Sequence, residues 1–273
     1  HYDRRRQRQM CIRDRIRSTI FQGLEDLIQQ RQQDVLRQEP YSTARLYWNH
    51  DFRMLLSLQT VVEVAKLLGV ESPLQPVLSF PLGANDVTLQ DLAMLYQSLA
   101  TGQVFGDSTS PKNHWSLIQR IEDTGGRTIY EADHQSRNIL DPVVNRALQE
   151  IMRSVVEYGT GRRAKRFLQT EYAREDGKQV TVQIPALGKT GTANNYSNAT
   201  FVGHLPVPTR QGMQTRGGYT IAVYVGSDRP GEAEETANRF RLTGSSGALP
   251  VWSRIAYYLI QTREYQERLQ IYL

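Results

Sequence analysis

Residues 186–193 constrain the fold of this 273-residue chain more than any other segment. They read Ala-Leu-Gly-Lys-Thr-Gly-Thr-Ala, an apolar lead-in followed by two glycines that bracket a cation and a hydroxyl. Gly191 has no side chain, so one face of an extended strand is open to another backbone. Lys189 supplies a point charge for a carboxylate and can activate a nearby nucleophile, and Thr190 and Thr192 carry hydroxyls that can donate to that carboxylate. The stretch therefore predicts a strand that lies against an anionic peptide.

Basic charge is concentrated at the amino-terminal end. Residues 1–17 hold seven arginines against two aspartates, and their net charge of +5 equals that of the whole chain. The remainder is neutral in sum, which excludes a broad basic face for nucleic acid. Residues 10–15 (Met-Cys-Ile-Arg-Asp-Arg) resemble translated sequencing-adapter DNA, so we expect 1–17 to be a non-native or disordered basic tail. Because Cys11 lies there, the expected folded part, 18–273, has no cysteine, which suits an oxidising compartment.

Other chemistries find little support in the sequence. The five histidines lack metal-ligand spacing, and His204, at the end of a predicted strand, is interpreted as structural. Paired carboxylates of the glycosidase kind are not evident. We therefore expect no metal and no cofactor. No apolar run approaches the roughly 18 residues that span a bilayer, so no membrane segment is predicted.

Hydrophobic spacing and end signals predict five helices. They cover residues 18–38, 58–68, 88–100, 141–158 and 250–262. Asp141 is expected to cap the fourth helix, and Asp86 or Thr88 the third. A glycine follows three of the helices as a stop: Gly69, Gly102 and Gly159. The buried faces of the last three helices are predicted to present Leu92, Leu95, Tyr96 and Leu99, then Val144, Leu148, Ile151 and Val155, and finally Val251, Ile255 and Leu259.

Strand signals lie between and after these helices. Residues 116–122 and 127–131 read as a short pair joined by a turn, and 187–193, 199–205 and 219–226 as three successive antiparallel strands. Helices, then an antiparallel sheet, then a closing helix indicate an α+β fold with helices packed on the sheet.

The chain resembles the carboxy-terminal part of the transpeptidase domain of class A penicillin-binding proteins, which build and cross-link peptidoglycan. Lys189-Thr190-Gly191 matches the third active-site element of these enzymes. Four further stretches match in the family's order, so the resemblance covers roughly residues 55–265. They are Leu82-Gly83 through Val87-Thr88 with the helix that follows, Val155-Val156-Glu157-Tyr158-Gly159-Thr160-Gly161, the hairpin from Gly191 to Gly203, and the Gly244 turn that leads to Pro250-Val251-Trp252.

The resemblance implies a fold and a set of residue roles. The fold is that of penicillin-binding proteins and β-lactamases, here incomplete at its amino-terminal side. The lysine strand would be an edge strand that receives the substrate peptide as an added strand. Lys189 would set the electrostatics for the D-alanine carboxylate, and Thr190, Gly191, Thr192 and Asn194 would contact the substrate. The backbone N–H of Thr192 would be one of two oxyanion-hole donors.

Departures from the family pattern are as informative as the matches. No serine has lysine three residues later, so the nucleophile is expected upstream of this chain. Ser136-Arg137-Asn138 fits the family's Ser-x-Asn element but comes too late in the sequence, and we interpret it as a coincidence in a surface connector. Gly159-Thr160-Gly161 lacks the Lys-Ser/Thr of a phosphate loop and is read as a helix stop that borders the cleft.

Three functions stay open at this stage. The first is a truncated D,D-transpeptidase, an acyltransferase that cross-links D-Ala-D-Ala stem peptides and binds β-lactams. The second is a non-catalytic module that recognises peptidoglycan or β-lactams, and the third is a serine β-lactamase relative, against which the Gly-Thr-Gly element and the long carboxy-terminal extension argue. The resemblance also implies an upstream glycosyltransferase domain, a membrane anchor in the parent protein, and a periplasmic or extracytoplasmic location.

Overall fold

The computed structural model describes residues 18–106, 118–132, 135–173, 178–226 and 242–272. It divides into two compact units. Of the described residues, the first unit contains those from 18 to 62 together with Gln75–Ala84, and the second contains Glu63–Leu74 and those from Asn85 onward. The prediction made for residues 1–17 lies outside the described residues, as does the start of the strand predicted at 116–122.

Seven α-helices occur in the described residues. Helix α3 crosses the boundary between the two units; α1 and α2 belong to the first unit, and α4 to α7 to the second. The helices are α1 (Ser18–Leu36), α2 (Thr43–Trp48), α3 (His50–Leu67), α4 (Leu89–Thr101), α5 (Pro142–Glu157), α6 (Leu249–Ile260) and α7 (Arg263–Tyr272). All five predicted helices are present, and α2 and α7 are additions.

In the described residues, nine strands, all in the second unit, form four antiparallel sheets. The central sheet has the order β7-β8-β9, and the pairs β1-β4, β2-β3 and β5-β6 stand as separate two-stranded sheets. The strands are β1 (Gln103–Gly106), β2 (Arg120–Glu122), β3 (Thr128–Glu131), β4 (Gln135–Asn138), β5 (Gln169–Ala173), β6 (Gln179–Gln183), β7 (Leu187–Thr192), β8 (Asn198–Thr209) and β9 (Gly212–Gly226). Together with the helices they confirm the predicted α+β class.

The core of the second unit lies where α6 and α7 pack on the central sheet. Phe201 of β8 and Trp252 of α6 are fully buried and meet edge to face, with ring centroids 5.0 Å apart. A Cβ on Gly203 would lie 2.5 Å from the Trp252 ring, so glycine at this position leaves room for the indole against the sheet. The Tyr265 hydroxyl of α7 donates to the Pro206 carbonyl at 2.7 Å.

The predicted caps of α4 and α5 are confirmed in detail. Thr88 and Asp91 form a reciprocal capping box at the start of α4, which ends at Gly102 in the left-handed conformation. Asp141 caps α5 by accepting from the N–H groups of Val143 and Val144. Of the two candidates for the α4 cap, the structure therefore selects Thr88.

The predicted buried faces of α5 and α6 are wrong in phase, whereas that of α4 is partly buried. In α5, Met152 and Val156 are buried, whereas Ile151 is 65% exposed. In α6 the buried residues include Trp252, Ala256 and Ile260, one position after the predicted Val251, Ile255 and Leu259. In α4 the most enclosed residues are Ser98 and Ala100, and the predicted Tyr96 and Leu99 are partly buried and pack against the cluster that contains Ala100. Apolar residues occur on more than one side of each helix, so the spacing fixes the period while the packing partner selects the side.

Two further predictions need correction. Residues 135–138 are not a connector, because they form strand β4 and pair with β1, with Ser136 opposite Phe105. The chain does not close with one helix, because α7 follows α6 and places Tyr265 and Leu269 in the core. Across the described residues, no helix is long and apolar enough to cross a membrane.

Candidate functional site

Strand β7 carries four of the five residues predicted for the site. Lys189, Thr190, Gly191 and Thr192 follow one another along it, and β8 pairs with one of its edges. No other described strand pairs with the opposite edge, so the predicted edge position is confirmed for the part of the chain that the structure describes. Asn194, the fifth residue, lies in the exposed turn that follows.

The register with β8 determines which main-chain groups of β7 face the open edge. Ala193 donates its N–H to the Asn198 carbonyl at 2.9 Å. Hydrogen-bonded and non-hydrogen-bonded pairs alternate in an antiparallel ladder, so Thr192, paired with Ala199, belongs to a non-hydrogen-bonded pair. The N–H and C=O groups of Thr192, and of Thr190 two residues earlier, therefore point away from β8. These groups are the ones that an added strand would use.

The Lys189 side chain is exposed and reaches back to the open edge. Its Nζ donates to the Thr190 carbonyl oxygen at 2.8 Å. This contact agrees with the ladder, in which that carbonyl points outward. An ammonium group has three donors, so two remain for other acceptors. The result is a positive charge at the edge of β7, next to the outward main-chain groups.

The Thr192 hydroxyl is held by a residue more than fifty positions later in the chain. Its Oγ1 accepts from the Gly244 backbone N–H at 3.1 Å. Gly244 begins the π-helical turn Gly244–Ala248 that leads into α6, and Thr243 and Ser246 cap this turn reciprocally. Because the N–H group can only donate, the Thr192 hydroxyl acts as the acceptor in this contact and its own proton stays free for another group.

Only glycine fits at position 244. A Cβ there would lie 2.7 Å from the carbonyl oxygens of Gly191 and Thr200, and 2.8 Å from the Thr190 Cβ. The turn thus lies directly on the first residues of the hairpin, and any larger residue would push it off. The sequence alone did not predict this contact, although the Gly244 turn was among the stretches that resemble the family.

The Thr190 hydroxyl also has a partner from a distant part of the chain. Its Oγ1 lies 2.8 Å from the Oγ1 of Thr160, and either atom can be the donor. Thr160 stands between two glycines just after α5, so the prediction that the Gly-Thr-Gly element borders the candidate site is confirmed. The sequence offered no sign that the two hydroxyls meet.

The turn after β7 is tight and exposed. Residues Asn194–Tyr196 form a short 3₁₀ turn, and the Asn194 carbonyl accepts from the Ser197 hydroxyl at 3.2 Å. Tyr196 has φ of +55°, in the left-handed region that few non-glycine residues adopt. Asn194 therefore lies next to the end of β7. In the described part of the chain, its side chain makes no hydrogen bond to β7.

His204 and Asn138, which were not predicted to act in the site, lie outside this cluster. His204 is buried, with its ring nitrogens 2.7 Å from the Thr220 hydroxyl and 2.8 Å from the Thr215 carbonyl, so its structural role is confirmed. The Asn138 amide oxygen accepts from the Gln103 and Arg216 side chains, which gives it a role in strand pairing. Within the described ranges, no three His, Cys, Asp or Glu residues lie close enough to hold a metal ion.

Comparison with known proteins identifies relatives of the chain. Penicillin-binding protein 1A of Aquifex aeolicus is 29% identical over 210 residues, which is 77% of this chain and 23% of that protein. The same-named protein of Rickettsia typhi is 28% identical over 211 residues, 72% of this chain and 23% of that protein. The chain is similar to penicillin-binding proteins.

The penicillin-binding protein relatives are about four times as long as the matched region, since the chain spans about a quarter of their length. No protein-family model matches the chain. Among solved structures, the D,D-transpeptidase domain of a peptidoglycan glycosyltransferase from Eggerthella lenta is 15% identical, with a TM-score of 0.41, over 75% of this chain and 48% of that one. The relationship to penicillin-binding proteins therefore rests on the sequence relatives.

Proposed function

We propose that this chain forms one wall of the active site of a peptidoglycan D,D-transpeptidase. The observation that carries the proposal is the open edge of β7, where the outward main-chain groups of Thr190 and Thr192 stand beside the Lys189 ammonium. A stem peptide that ends in D-Ala-D-Ala would add to this edge as an extra strand, held by main-chain hydrogen bonds. Its terminal carboxylate would lie against Lys189 and the two threonine hydroxyls.

The reaction would be acyl transfer through a serine ester. The serine oxygen attacks the carbonyl carbon between the two D-alanines, the C–N bond breaks, and D-alanine leaves as the amine. An acceptor amine then displaces the serine and forms the cross-link. The outward N–H of Thr192 would donate to the oxyanion in both steps, a contribution typically worth about 3 kcal/mol in such sites.

The nucleophile of this reaction would come from residues outside the 273 of this chain. Each of the five lysines has a residue other than serine three positions earlier, so no Ser-x-x-Lys pair exists here. The relatives' greater length leaves room for it. We propose that residues 18–273 are the carboxy-terminal portion of the transpeptidase domain, with a glycosyltransferase domain and a membrane anchor upstream, acting on the outer side of the bacterial inner membrane.

The lack of a Ser-x-x-Lys pair in this chain also favours a second function, that of a non-catalytic module that recognises peptidoglycan or β-lactams. Such a protein would keep the β7 edge and its charge but form no covalent adduct. The two proposals separate at the gene: sequencing the DNA upstream of the Ser18 codon with long reads would reveal an in-frame Ser-x-x-Lys for the transpeptidase, or a start codon with no such pair for the module.

Binding to the chain itself tests the part that both proposals share. We expect an N-acylated peptide that ends in D-Ala-D-Ala to shift the backbone amide resonances of Gly191 and Thr192, and to bind more tightly than the same peptide ending in L-Ala-L-Ala. We also expect no mass increase after incubation with benzylpenicillin. Equal binding of the two peptides would overturn the proposed site, and a penicillin adduct on any serine of this chain would overturn the placement of the nucleophile.

A further inference from the structure

We propose that Thr160 is a positioning residue of this site, whose hydroxyl orients that of Thr190 toward a terminal carboxylate. The proposal rests on the function proposed above and adds to it a residue from outside β7. Its basis is the 2.8 Å contact between the two Oγ1 atoms. Thr160 and Thr190 are 30 residues apart in sequence, so only the fold brings these hydroxyls together.

The segment that carries Thr160 is held firmly on both sides. The N–H of Gly159 donates to the Ser154 carbonyl at 3.0 Å, and that of Gly161 to the Val155 carbonyl at 2.9 Å. Gly161 is buried, and a Cβ at this position would lie 3.4 Å from the Phe201 ring. Phe201 is the β8 residue that pairs with Thr190. The same residue of β8 therefore helps to position both threonines, which fixes the distance between their hydroxyls.

The effect of Thr160 on ligand binding depends on which of the two hydroxyls donates the hydrogen bond. Without a ligand either oxygen can donate, so the pair has two arrangements. A carboxylate can only accept hydrogen bonds. When it accepts one from the Thr190 hydroxyl, Thr160 must be the donor in its contact with the Thr190 oxygen. A hydroxyl that accepts one hydrogen bond donates another more strongly, because the two bonds polarise each other. Thr160 would therefore strengthen the contact to an ionised terminus without touching it.

The Thr192 hydroxyl is likewise oriented by a hydrogen-bond partner from another element. Its acceptor position is filled by the Gly244 N–H, which leaves its proton for a ligand. The two hydroxyls of the lysine strand are thus each held by a group from another element. Thr160 is the one of these two partners that acts through a side chain, so it can be changed without altering the backbone.

The test compares Thr160→Val, which removes the hydroxyl but keeps the shape, with Thr160→Ser, which restores it. Binding of an N-acylated D-Ala-D-Ala peptide and of its C-terminal amide is measured for the whole 273-residue chain by amide chemical-shift titration. We expect Thr160→Val to weaken binding of the acid about five- to tenfold and to leave binding of the amide within twofold. Thr160→Ser should bind both peptides as the unchanged chain does.

The outcomes separate the two proposals. If the unchanged chain prefers the acid and Thr160→Val keeps that preference, the role of Thr160 is overturned and the proposed function stands. If the unchanged chain does not distinguish acid from amide, or binds neither, the proposed carboxylate site fails and the role of Thr160 fails with it. A Thr160→Val chain that loses affinity for both peptides and melts more than about 5 °C lower would show a purely structural contact, which also overturns the proposal.

Discussion

The backbone N–H of Gly244 donates to the Thr192 hydroxyl across 3.1 Å, which ties the turn before α6 to the end of the lysine strand. The two residues lie 52 positions apart in the sequence. Since a Cβ on residue 244 would meet two carbonyl oxygens at 2.7 Å, the contact depends on glycine. The candidate site is therefore built from three separate stretches: the lysine strand, the Gly-Thr-Gly segment and the Gly244 turn.

Gly244→Ala should destabilise the second unit and disturb the end of β7. The methyl group would collide with backbone atoms that cannot rotate away, and overpacking of this kind costs about 1–3 kcal/mol. Chemical denaturation measures the loss, and the Thr192 amide resonance should shift as well. Gly23→Ala is the matched control, because nothing lies within 4 Å of its Cβ and alanine favours a helix by about 0.5–1 kcal/mol. Equal effects at the two positions would contradict the close approach at Gly244.

Lys189→Ala should strongly reduce acylation by a β-lactam while leaving the melting temperature nearly unchanged. Its side chain is exposed and its ammonium bonds only a neighbouring carbonyl in the described structure, so the melting temperature should move by less than about 2 °C. In a protein that includes the nucleophilic serine, acylation by a β-lactam should fall by about 100-fold or more, because the positive charge beside the reacting groups is lost. Lys66→Ala, an exposed lysine paired with Glu63 at 3.1 Å, is the control and should acylate normally. Normal acylation of Lys189→Ala together with a large loss of stability would refute the assignment.

His204 should make the protein less stable as the pH falls from about 6.5 to 4. Burial lowers the pKa of His204 to about 4, against the weaker opposing effect of its hydrogen bond to the Thr215 carbonyl. The unfolded chain therefore takes up a proton that the folded chain excludes, so the stabilisation is complete above pH 6.5 and is lost by pH 4. A shift of this size corresponds to about 3 kcal/mol.

Denaturation of the His204→Gln variant over the same pH range checks the prediction. The variant should be less stable at pH 7, because it replaces a buried, hydrogen-bonded ring, but it should lose most of the slope between pH 6.5 and 4. His50→Gln, at an exposed position of α3, should keep the slope of the unchanged protein. A His204→Gln variant with the full slope would mean that another group is responsible.

Asp91→Asn should lower the free energy of unfolding by about 2 kcal/mol. Burial by itself would raise the pKa of Asp91, but hydrogen bonds from Ser72, Glu71 and Thr88 outweigh it and hold the pKa at about 2. The charged carboxylate is thus the form that the fold prefers, and its contribution is present above pH 3.8 and lost as the pH falls toward 2. Asp86→Asn, at an exposed position just before the helix, should change stability by less than about 0.5 kcal/mol. Comparable losses in the two variants would argue against the capping role of Asp91.

Local signals in the sequence predicted the helices and strands well, because caps and stops act on their immediate neighbours. Asp141 and Thr88 begin their helices through bonds to N–H groups two or three residues away, and Gly102 ends one by adopting a left-handed conformation. The hairpin around Asn194 also follows from local turn residues. What these signals missed was the dual role of Asp91, whose carboxylate also binds Glu71 and Ser72 some twenty residues earlier.

Taken alone, the sequence predicted the α+β class, the strand that carries Lys189 and its threonines, and the resemblance to penicillin-binding proteins that implies an edge position for this strand. Only the tertiary structure decided which side of α5 and α6 is buried, because both helices carry apolar residues on more than one side and the sheet selects among them. It alone brought Thr160 to Thr190 and Gly244 to Thr192. Hydrogen bonds of about 3 Å between residues 30 and 52 positions apart depend on how whole elements pack, and no local pattern in a chain records that distance.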